Sequence, residues 1–121
     1  MKKLSNITLT IDKTLFDALK KLEKEEIKII FIIDSKEKLL GTVSDGDIRR
    51  SFISGNALNS KVSEIMNLKF ISAQKDDNKQ TVLDLMKKKG VKQLPILDNS
   101  GKILDFMLLE ELIEVSNKRE N

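Results

Sequence analysis

Alternating and continuous apolar segments divide this chain into short elements. Residues 6–11 alternate apolar and polar side chains and are rich in β-branched residues, which predicts a short strand or an extended leading segment. Residues 27–33 are apolar except for Lys28, and such a run predicts a central strand buried on both faces. Residues 39–43 predict a second buried strand, which follows a polar turn.

Helices are predicted after the first and the last of these strands. Thr14 and, three residues later, Asp17 form a capping box ahead of apolar residues at helical spacing. Ser44 and Asp47 form a second capping box after the strand at 39–43. We expect that helix to end near Gly55, because glycine adopts the left-handed conformation of a helix C-terminus most easily.

The sequence contains an internal repeat. When it is shifted by 64 positions, its two halves align without a gap. The matched pairs are Ile7 with Ile71, Asp12 with Asp76, Leu19 with Leu83, Leu22 with Met86, Lys28 with Lys92, Ile32 with Ile96, Asp34 with Asp98, Lys38 with Lys102, and Leu40 with Leu104.

Each copy of the repeat is predicted as β-α-β-β-α, and a unit of that size is too small to bury its own sheet. We therefore expect an α/β (α+β) fold in which two copies pack sheet against sheet, with a ligand site in the cleft between them. The first copy is predicted at 1–60 and the second at 61–115. The polar composition of residues 116–121 predicts a linker-like tail.

Composition removes several classes of function. The absence of cysteine and histidine excludes thiol nucleophiles, thiolate metal sites and the usual general base. The composition disfavours nucleic acid as a partner, because the net charge is only +3, and the chain has three arginines and neither Tyr nor Trp for base stacking. The sequence has no apolar run near the roughly 18 residues of a membrane span and no signal-peptide core, so we expect a cytoplasmic protein.

Candidate chemistry concentrates in residues 41–50, Gly-Thr-Val-Ser-Asp-Gly-Asp-Ile-Arg-Arg. A strand here delivers the hydroxyl of Ser44 and the carboxylate of Asp47 to a helix N-terminus. That end of a helix favours an anion, and two basic residues, Arg49 and Arg50, follow one turn later. The pattern suits a phosphorylated ligand that carries a diol.

The order and duplication of these motifs resemble a tandem pair of CBS domains, also called a Bateman module. The motifs are the Gly-Thr-Val-Ser-Asp-Gly-Asp run at 41–47, Val-Ser-Glu-Ile-Met at 62–66 and Leu-Pro-Ile-Leu-Asp at 94–98. The resemblance implies a regulatory module that senses an adenosine-containing nucleotide such as AMP, ADP or ATP. It also implies assembly as a homodimer, and we expect the contact at the apolar helix positions Phe52, Ile53, Leu109 and Leu112. Finally, it implies a catalytic domain that is either attached to this chain or bound to it as a partner.

The resemblance also implies the ligand-binding residues. Ser44 and Asp47 match the positions that contact phosphate and ribose in such modules, with Gly46, Arg49 and Arg50 beside them. The purine is expected between the leading segment and the central strands. Those positions are Ile7, Thr8, Ile29 and Phe31, with Gln93 to Pro95 from the other copy.

The second copy departs from this pattern. Ser44 aligns with Leu108 and Asp47 with Glu111, and the two arginines align with Ile113 and Glu114. The hydroxyl and both cations are therefore missing, and we expect at most one competent site in each chain, around the first copy.

Three alternatives to a nucleotide site remain open. In the first, Ser44 and Asp47 cap the helix without binding a ligand, and the arginines form a solvated helix face. Asp45 with Asp47 resembles an Asp-x-Asp magnesium site, but no third ligand is apparent. A dimerisation scaffold without a ligand would also explain the loss of the second site.

The Asp-Gly-Asp-Ile-Arg-Arg run at 45–50 and the Leu-Leu-Glu-Glu-Leu segment at 108–112 are similar to CBS pairs in front of bacterial sugar-phosphate nucleotidyltransferases. The glycine-rich catalytic site of such an enzyme is absent, so we expect no activity, no catalytic residue, no metal and no required cofactor in this chain.

Overall fold

The computed structural model describes residues 3–119, which form two compact units divided between Phe70 and Ile71. Each unit contains one three-stranded sheet and two α-helices. The predicted α+β class is confirmed.

The first unit has its strands and helices in the predicted order. They are β1 (Thr8–Thr10), α1 (Leu15–Lys24), β2 (Ile29–Ile33), β3 (Leu39–Ser44) and α2 (Asp45–Ile53). The central position of β2 is confirmed, because it pairs in parallel with β1 and antiparallel with β3.

The predicted strand at 6–11 is too long at its start. Leu4–Ile7 forms a single 3-10 turn, in which the Asn6 N–H donates to the Lys3 carbonyl at 3.0 Å. Ile7 is 1% exposed at the end of this turn, so the turn buries an apolar side chain just before β1 begins.

The second unit repeats this order with a shorter first strand. Its elements are β4 (Ala73–Gln74), α3 (Lys79–Lys89), β5 (Gln93–Leu97), β6 (Ile103–Leu108) and α4 (Leu109–Arg119). β5 is central, parallel to β4 and antiparallel to β6.

Matched hydrogen bonds confirm the repeat in atomic detail. The Asp45 N–H donates to the Lys28 carbonyl at 3.3 Å, and 64 positions later the Leu109 N–H donates to the Lys92 carbonyl at 2.8 Å. The hairpin turns also correspond, since Asp34 and Asp98 each accept backbone N–H bonds from the residues two and four positions ahead.

Both units bury the faces that their patterns predict. In the first unit the paired residues Ile30 and Val43 are fully buried, as is Leu15 of α1. The capping box of α1 is present, and the Thr14 N–H that donates to the Asp17 carboxylate is the main cause of a lowered pKa at Asp17. The core of the second unit comprises Ala73, Val82, Leu83, Met86, Leu94 and Leu112.

The segment after α2 adds to the edge of the first sheet. The Thr42 N–H donates to the Asn67 carbonyl at 3.0 Å, and the Asn67 N–H returns a bond to the Thr42 carbonyl at 2.7 Å. Residues 61–70 therefore belong to the first compact unit.

Gly41 makes this edge packing feasible, because a Cβ there would lie 2.8 Å from Met66 Sδ and 3.0 Å from the Asn67 carbonyl oxygen. We predict that Gly41→Ala lowers the free energy of unfolding by about 1 to 3 kcal/mol, the usual cost of overpacking. Urea denaturation measures this. Asp105→Ala is the matched control at the exposed, repeat-related position, and a loss there as large as at position 41 would contradict the explanation.

The helix α4 continues through Arg119. Residues 116–119 of the predicted linker-like tail are therefore helical in their backbone, and residues 120 and 121 lie outside the described part of the chain. Across residues 3–119, no helix combines the length and the apolar character that crossing a bilayer requires.

Candidate functional site

Three strand ends bring the predicted residues of the first copy to one end of the first sheet. β1 and β2 run in parallel, so their first residues, Thr8 and Ile29, lie toward the same end. β3 runs antiparallel to β2, and its last residue, Ser44, is the partner of Ile29. The start of α2 therefore stands beside the starts of the two other strands.

The capping box at the start of α2 is confirmed. Ser44 Oγ accepts a bond from the Asp47 N–H at 3.1 Å, and Asp47 Oδ2 accepts a bond from the Ser44 N–H at 2.8 Å. These two bonds satisfy backbone donors that no helical carbonyl can reach. They also fix the direction in which the Asp47 carboxylate points.

Each arginine pairs with an acidic residue of the same helix. Arg49 Nη1 donates to Asp45 Oδ2, and Arg50 Nη2 donates to Asp47 Oδ1 at 2.8 Å. Both arginine side chains are 71% exposed, while the Asp47 side chain is only 22% exposed. The four charges cancel, which leaves the positive end of the helix dipole as the local field.

Asp47 retains acceptor capacity. A carboxylate offers about four lone-pair positions. Among the described residues, Asp47 Oδ2 accepts one bond from a backbone N–H and Oδ1 accepts one from Arg50. Each oxygen therefore has room for one further donor, and two neighbouring hydroxyl groups present donors at a matching separation.

Gly46 lies directly under the Arg50 side chain. A Cβ at this position would stand 3.1 Å from Arg50 Nη1 and 3.4 Å from Nη2. A side chain here would therefore press on the guanidinium, which in this structure lies across the first turn of α2.

The residues predicted around a purine occupy different environments. Ile7 and Phe31 are 1% and 0% exposed, whereas Thr8 and Ile29 are partly exposed. Thr8 pairs with Phe31, and Phe31 in turn pairs with Thr42. Thr8 and Ile29 are thus the members of this group with surface available to a ligand.

Gln93 and Pro95 belong to the second unit. In β5 they hold the positions that Ile29 and Phe31 hold in β2, and their strand partners are Leu108 and Phe106. Gln93 is partly exposed and Pro95 is buried.

The start of α4 differs from that of α2 as predicted. Leu108, in the position of Ser44, is 6% exposed and has no hydroxyl to offer. Glu110, Glu111 and Glu114 are exposed there, and no cation occupies the positions of the two arginines. Three negative charges beside a helix start disfavour an anionic ligand.

Thr42 is a buried polar residue near Ser44 in β3. This residue precedes Ser44 by two positions in β3, so both side chains lie on the same face of the sheet. Thr42 is 6% exposed, so its side chain has almost no surface available to a ligand.

The two acidic side chains of the Asp-Gly-Asp run are each engaged by an arginine. Within the range 3–119, no three Asp, Glu, His or Cys side chains are grouped so that they could hold a metal ion.

Comparison with known proteins assigns this chain to a family. The sequence profile of the CBS domain matches residues 1–54 and 62–118. The chain therefore belongs to the CBS domain family, and its two matched segments make it a tandem pair.

Arabinose 5-phosphate isomerase GutQ of Escherichia coli (strain K12) is 22% identical to this chain over 106 residues. The match covers 88% of this chain and 33% of GutQ, so the chain spans about a third of that relative's length.

Two solved structures share the fold. CBSX2 in complex with AMP has a TM-score of 0.81 at 19% identity, covering 97% of this chain and 92% of CBSX2. The CBS domain pair of protein MJ0100 in complex with 5-methylthioadenosine and S-adenosyl-L-methionine has a TM-score of 0.80 at 23% identity, covering 93% and 89%.

Proposed function

We propose that this chain is a regulatory module that binds an adenosine-containing nucleotide at the start of α2. The observation that carries the proposal is the Asp47 carboxylate, which is held by Ser44 and Arg50 and keeps one acceptor position open on each oxygen. A ribose presents two neighbouring hydroxyl donors to such a carboxylate. The ligand is AMP, ADP or ATP, and it acts as a regulator, with no required cofactor.

The phosphate lies near Ser44, Gly46 and the first turn of α2, where the helix dipole favours negative charge. Arg50, which is paired with Asp47, has further N–H donors in the same region. The purine lies against Thr8 and Ile29, the partly exposed members of the group in the first unit. Gln93 and Pro95 hold the repeat-related positions of Ile29 and Phe31 in the second unit. Ile7 and Phe31 support that surface from within the core.

Two kinds of relative support an adenosine ligand. CBSX2 was solved with AMP, and the MJ0100 pair was solved with 5-methylthioadenosine and S-adenosyl-L-methionine. Adenosine is the part common to these compounds. A site that holds the ribose through Asp47 would retain that part and leave the number of phosphates open.

The regulated activity resides in a catalytic domain, either attached to this chain or bound to it, in the cytoplasm. The sequence resemblance points to a sugar-phosphate nucleotidyltransferase, whereas the curated relative is a sugar-phosphate isomerase in which the matched segment is about a third of the protein. We therefore propose a catalytic domain for a sugar phosphate, and the identity of the parent chain decides between the two reactions.

A dimerisation scaffold is the second candidate, favoured by the exposed apolar residues Phe52 and Ile53 at the end of α2, which are 40% and 86% exposed. The predicted contact face needs a correction at Leu112. This side chain belongs to the core of the second unit, and Leu109 packs against the same core. Homodimerisation through α2 is compatible with either function.

Calorimetric titration of the 121-residue chain with adenosine, AMP, ADP, ATP and GMP tests the proposal. We expect saturable binding of the adenosine compounds, with one site per chain. Absence of heat with every adenosine compound, together with a stable dimer in sedimentation, would favour the scaffold and contradict nucleotide sensing.

A further inference from the structure

We propose that Arg50, and not Arg49, reads the phosphate of the bound nucleotide and so sets the preference for phosphorylated over unphosphorylated nucleosides. The inference rests on the proposed function, because it divides the roles within the site at the start of α2. The two arginines are adjacent in sequence and equally exposed, so neither their position in the sequence nor their exposure distinguishes them.

Arg50 is tied to the residue that would hold the ribose. Its Nη2 donates to Asp47 Oδ1 at 2.8 Å. A guanidinium carries several N–H donors in a fixed plane, and this bond uses one of them. The remaining donors belong to a side chain that is 71% exposed, so they are available to an anion attached to the same sugar.

Because Gly46 has no side chain, the Arg50 guanidinium can lie close to the helix backbone at this position. A Cβ there would stand 3.1 Å from Nη1 and 3.4 Å from Nη2 of Arg50. Gly46 therefore allows the guanidinium to lie back across the first turn, where its remaining N–H donors stand near the positive end of the helix dipole. Side chains of a helix lean toward its N-terminus, which favours this direction.

Arg49 occupies a different sector of the helix. Successive residues of an α-helix are separated by about 100° around its axis, and Arg49 pairs with Asp45 at the first helical position. That pair neutralises the Asp45 carboxylate, whereas the capping bonds of Ser44 are made with Asp47. Arg49 therefore shields Asp45 and does not share an oxygen with the ribose-binding carboxylate.

Calorimetric titrations with adenosine, AMP and ATP test this division of roles. Arg50→Gln removes the charge and keeps most of the length, and we expect AMP and ATP to bind about 10-fold more weakly or worse, with adenosine changed less than about 3-fold. Arg49→Gln is the matched control and should leave all three affinities within about 3-fold. Both residues are exposed, so thermal melting should confirm that both variants fold.

Two further variants separate position from charge. Gly46→Ala crowds the guanidinium while leaving Arg50, Asp47 and Ser44 in the chain, and it should weaken AMP more than adenosine. The added Ala also favours a helix, so loss of folding is not expected. Arg50→Lys keeps the cation without the planar donor set and should fall between the original chain and Arg50→Gln.

Three results would overturn the proposal. If the two Gln variants weaken AMP equally, the arginines are not distinguished. If Arg50→Gln weakens adenosine as much as AMP, Arg50 only orients Asp47. If the unaltered chain binds none of the three compounds, the proposed function falls as well, and this outcome is recognised from the unaltered chain alone.

Discussion

Replacing Asp47 with Ala is expected to weaken nucleotide binding by about 1.5 to 3 kcal/mol, or roughly 10- to 150-fold, because hydrogen bonds to a charged group contribute in that range. The carboxylate has two open acceptor positions, and the substitution removes both. It also removes the bond from the Ser44 N–H, so α2 loses part of its cap at a cost of about 1 kcal/mol of stability. Titration calorimetry and thermal melting on the same samples measure the two effects separately.

Asp47→Asn and Glu111→Ala are the controls for this prediction. Asn keeps the shape and an acceptor for the Ser44 N–H, so it should lower affinity clearly with little change in melting temperature. Glu111 holds the repeat-related position at the start of α4, where the hydroxyl and the arginines are missing, and its replacement should leave affinity nearly unchanged. Unchanged affinity with a lowered melting temperature in both Asp47 variants would mean that Ser44 and Asp47 only cap the helix.

Phe31→Ala is expected to lower the free energy of unfolding by about 3 to 5 kcal/mol, the usual cost of truncating a buried Phe. The Phe31 side chain is 0% exposed and lies in the central strand of the first sheet, between Thr8 and Thr42. Since domains of this size are stable by only about 5 to 15 kcal/mol, the loss is a large fraction of the total. Urea denaturation followed by circular dichroism measures it.

Phe16→Ala and Phe31→Leu sharpen the interpretation of that result. Phe16 is 49% exposed, and the Lys20 ammonium lies 4.7 Å from its ring. Its replacement removes little buried surface and should lower the free energy of unfolding by about 1 kcal/mol or less. Phe31→Leu preserves most of the apolar volume and should cost about 1.5 kcal/mol or less. If Phe31 acts through packing, the Leu variant keeps its nucleotide affinity. A selective loss of affinity in that variant would instead indicate direct contact with the purine.

The order of strands and helices could be predicted from the sequence because three independent signals agreed. The long apolar run at 27–33 identified the central strand, the capping boxes at Thr14 and Ser44 identified two helix starts, and the 64-residue repeat extended both to the second copy. Each signal is local or periodic, and such patterns are visible without knowledge of tertiary contacts.

The features that escaped prediction depend on contacts between distant residues. The pairing of Asn67 with Thr42 joins segments 25 positions apart, and the space for it depends on the missing side chain of Gly41. The 3-10 turn at Leu4–Ile7 overlaps the alternating segment 6–11 at Asn6 and Ile7, so the alternation does not show where β1 begins.

The candidate site was predicted in part. The positions of Ser44 and Asp47 at a helix start followed from the capping signal, and their mutual hydrogen bonds agree with it. The sequence did not predict that Arg50 pairs with Asp47 and Arg49 with Asp45. On a helix, residues three or four positions apart can pair, and this spacing allows more than one set of ion pairs among these four residues. Their roles toward a ligand stay predictions.

Titration of the ¹⁵N-labelled chain with AMP, followed by amide chemical shifts, locates nucleotide binding at the start of α2 or elsewhere. A chain of 13.8 kDa gives well-separated signals, and each amide reports its own position. We expect saturable shifts that are largest at Ser44, Gly46 and Asp47, with the amides of Glu110 and Glu111 nearly unmoved. Unchanged spectra at saturating AMP and ATP, or the largest shifts at the start of α4 with α2 unaffected, would contradict this expectation.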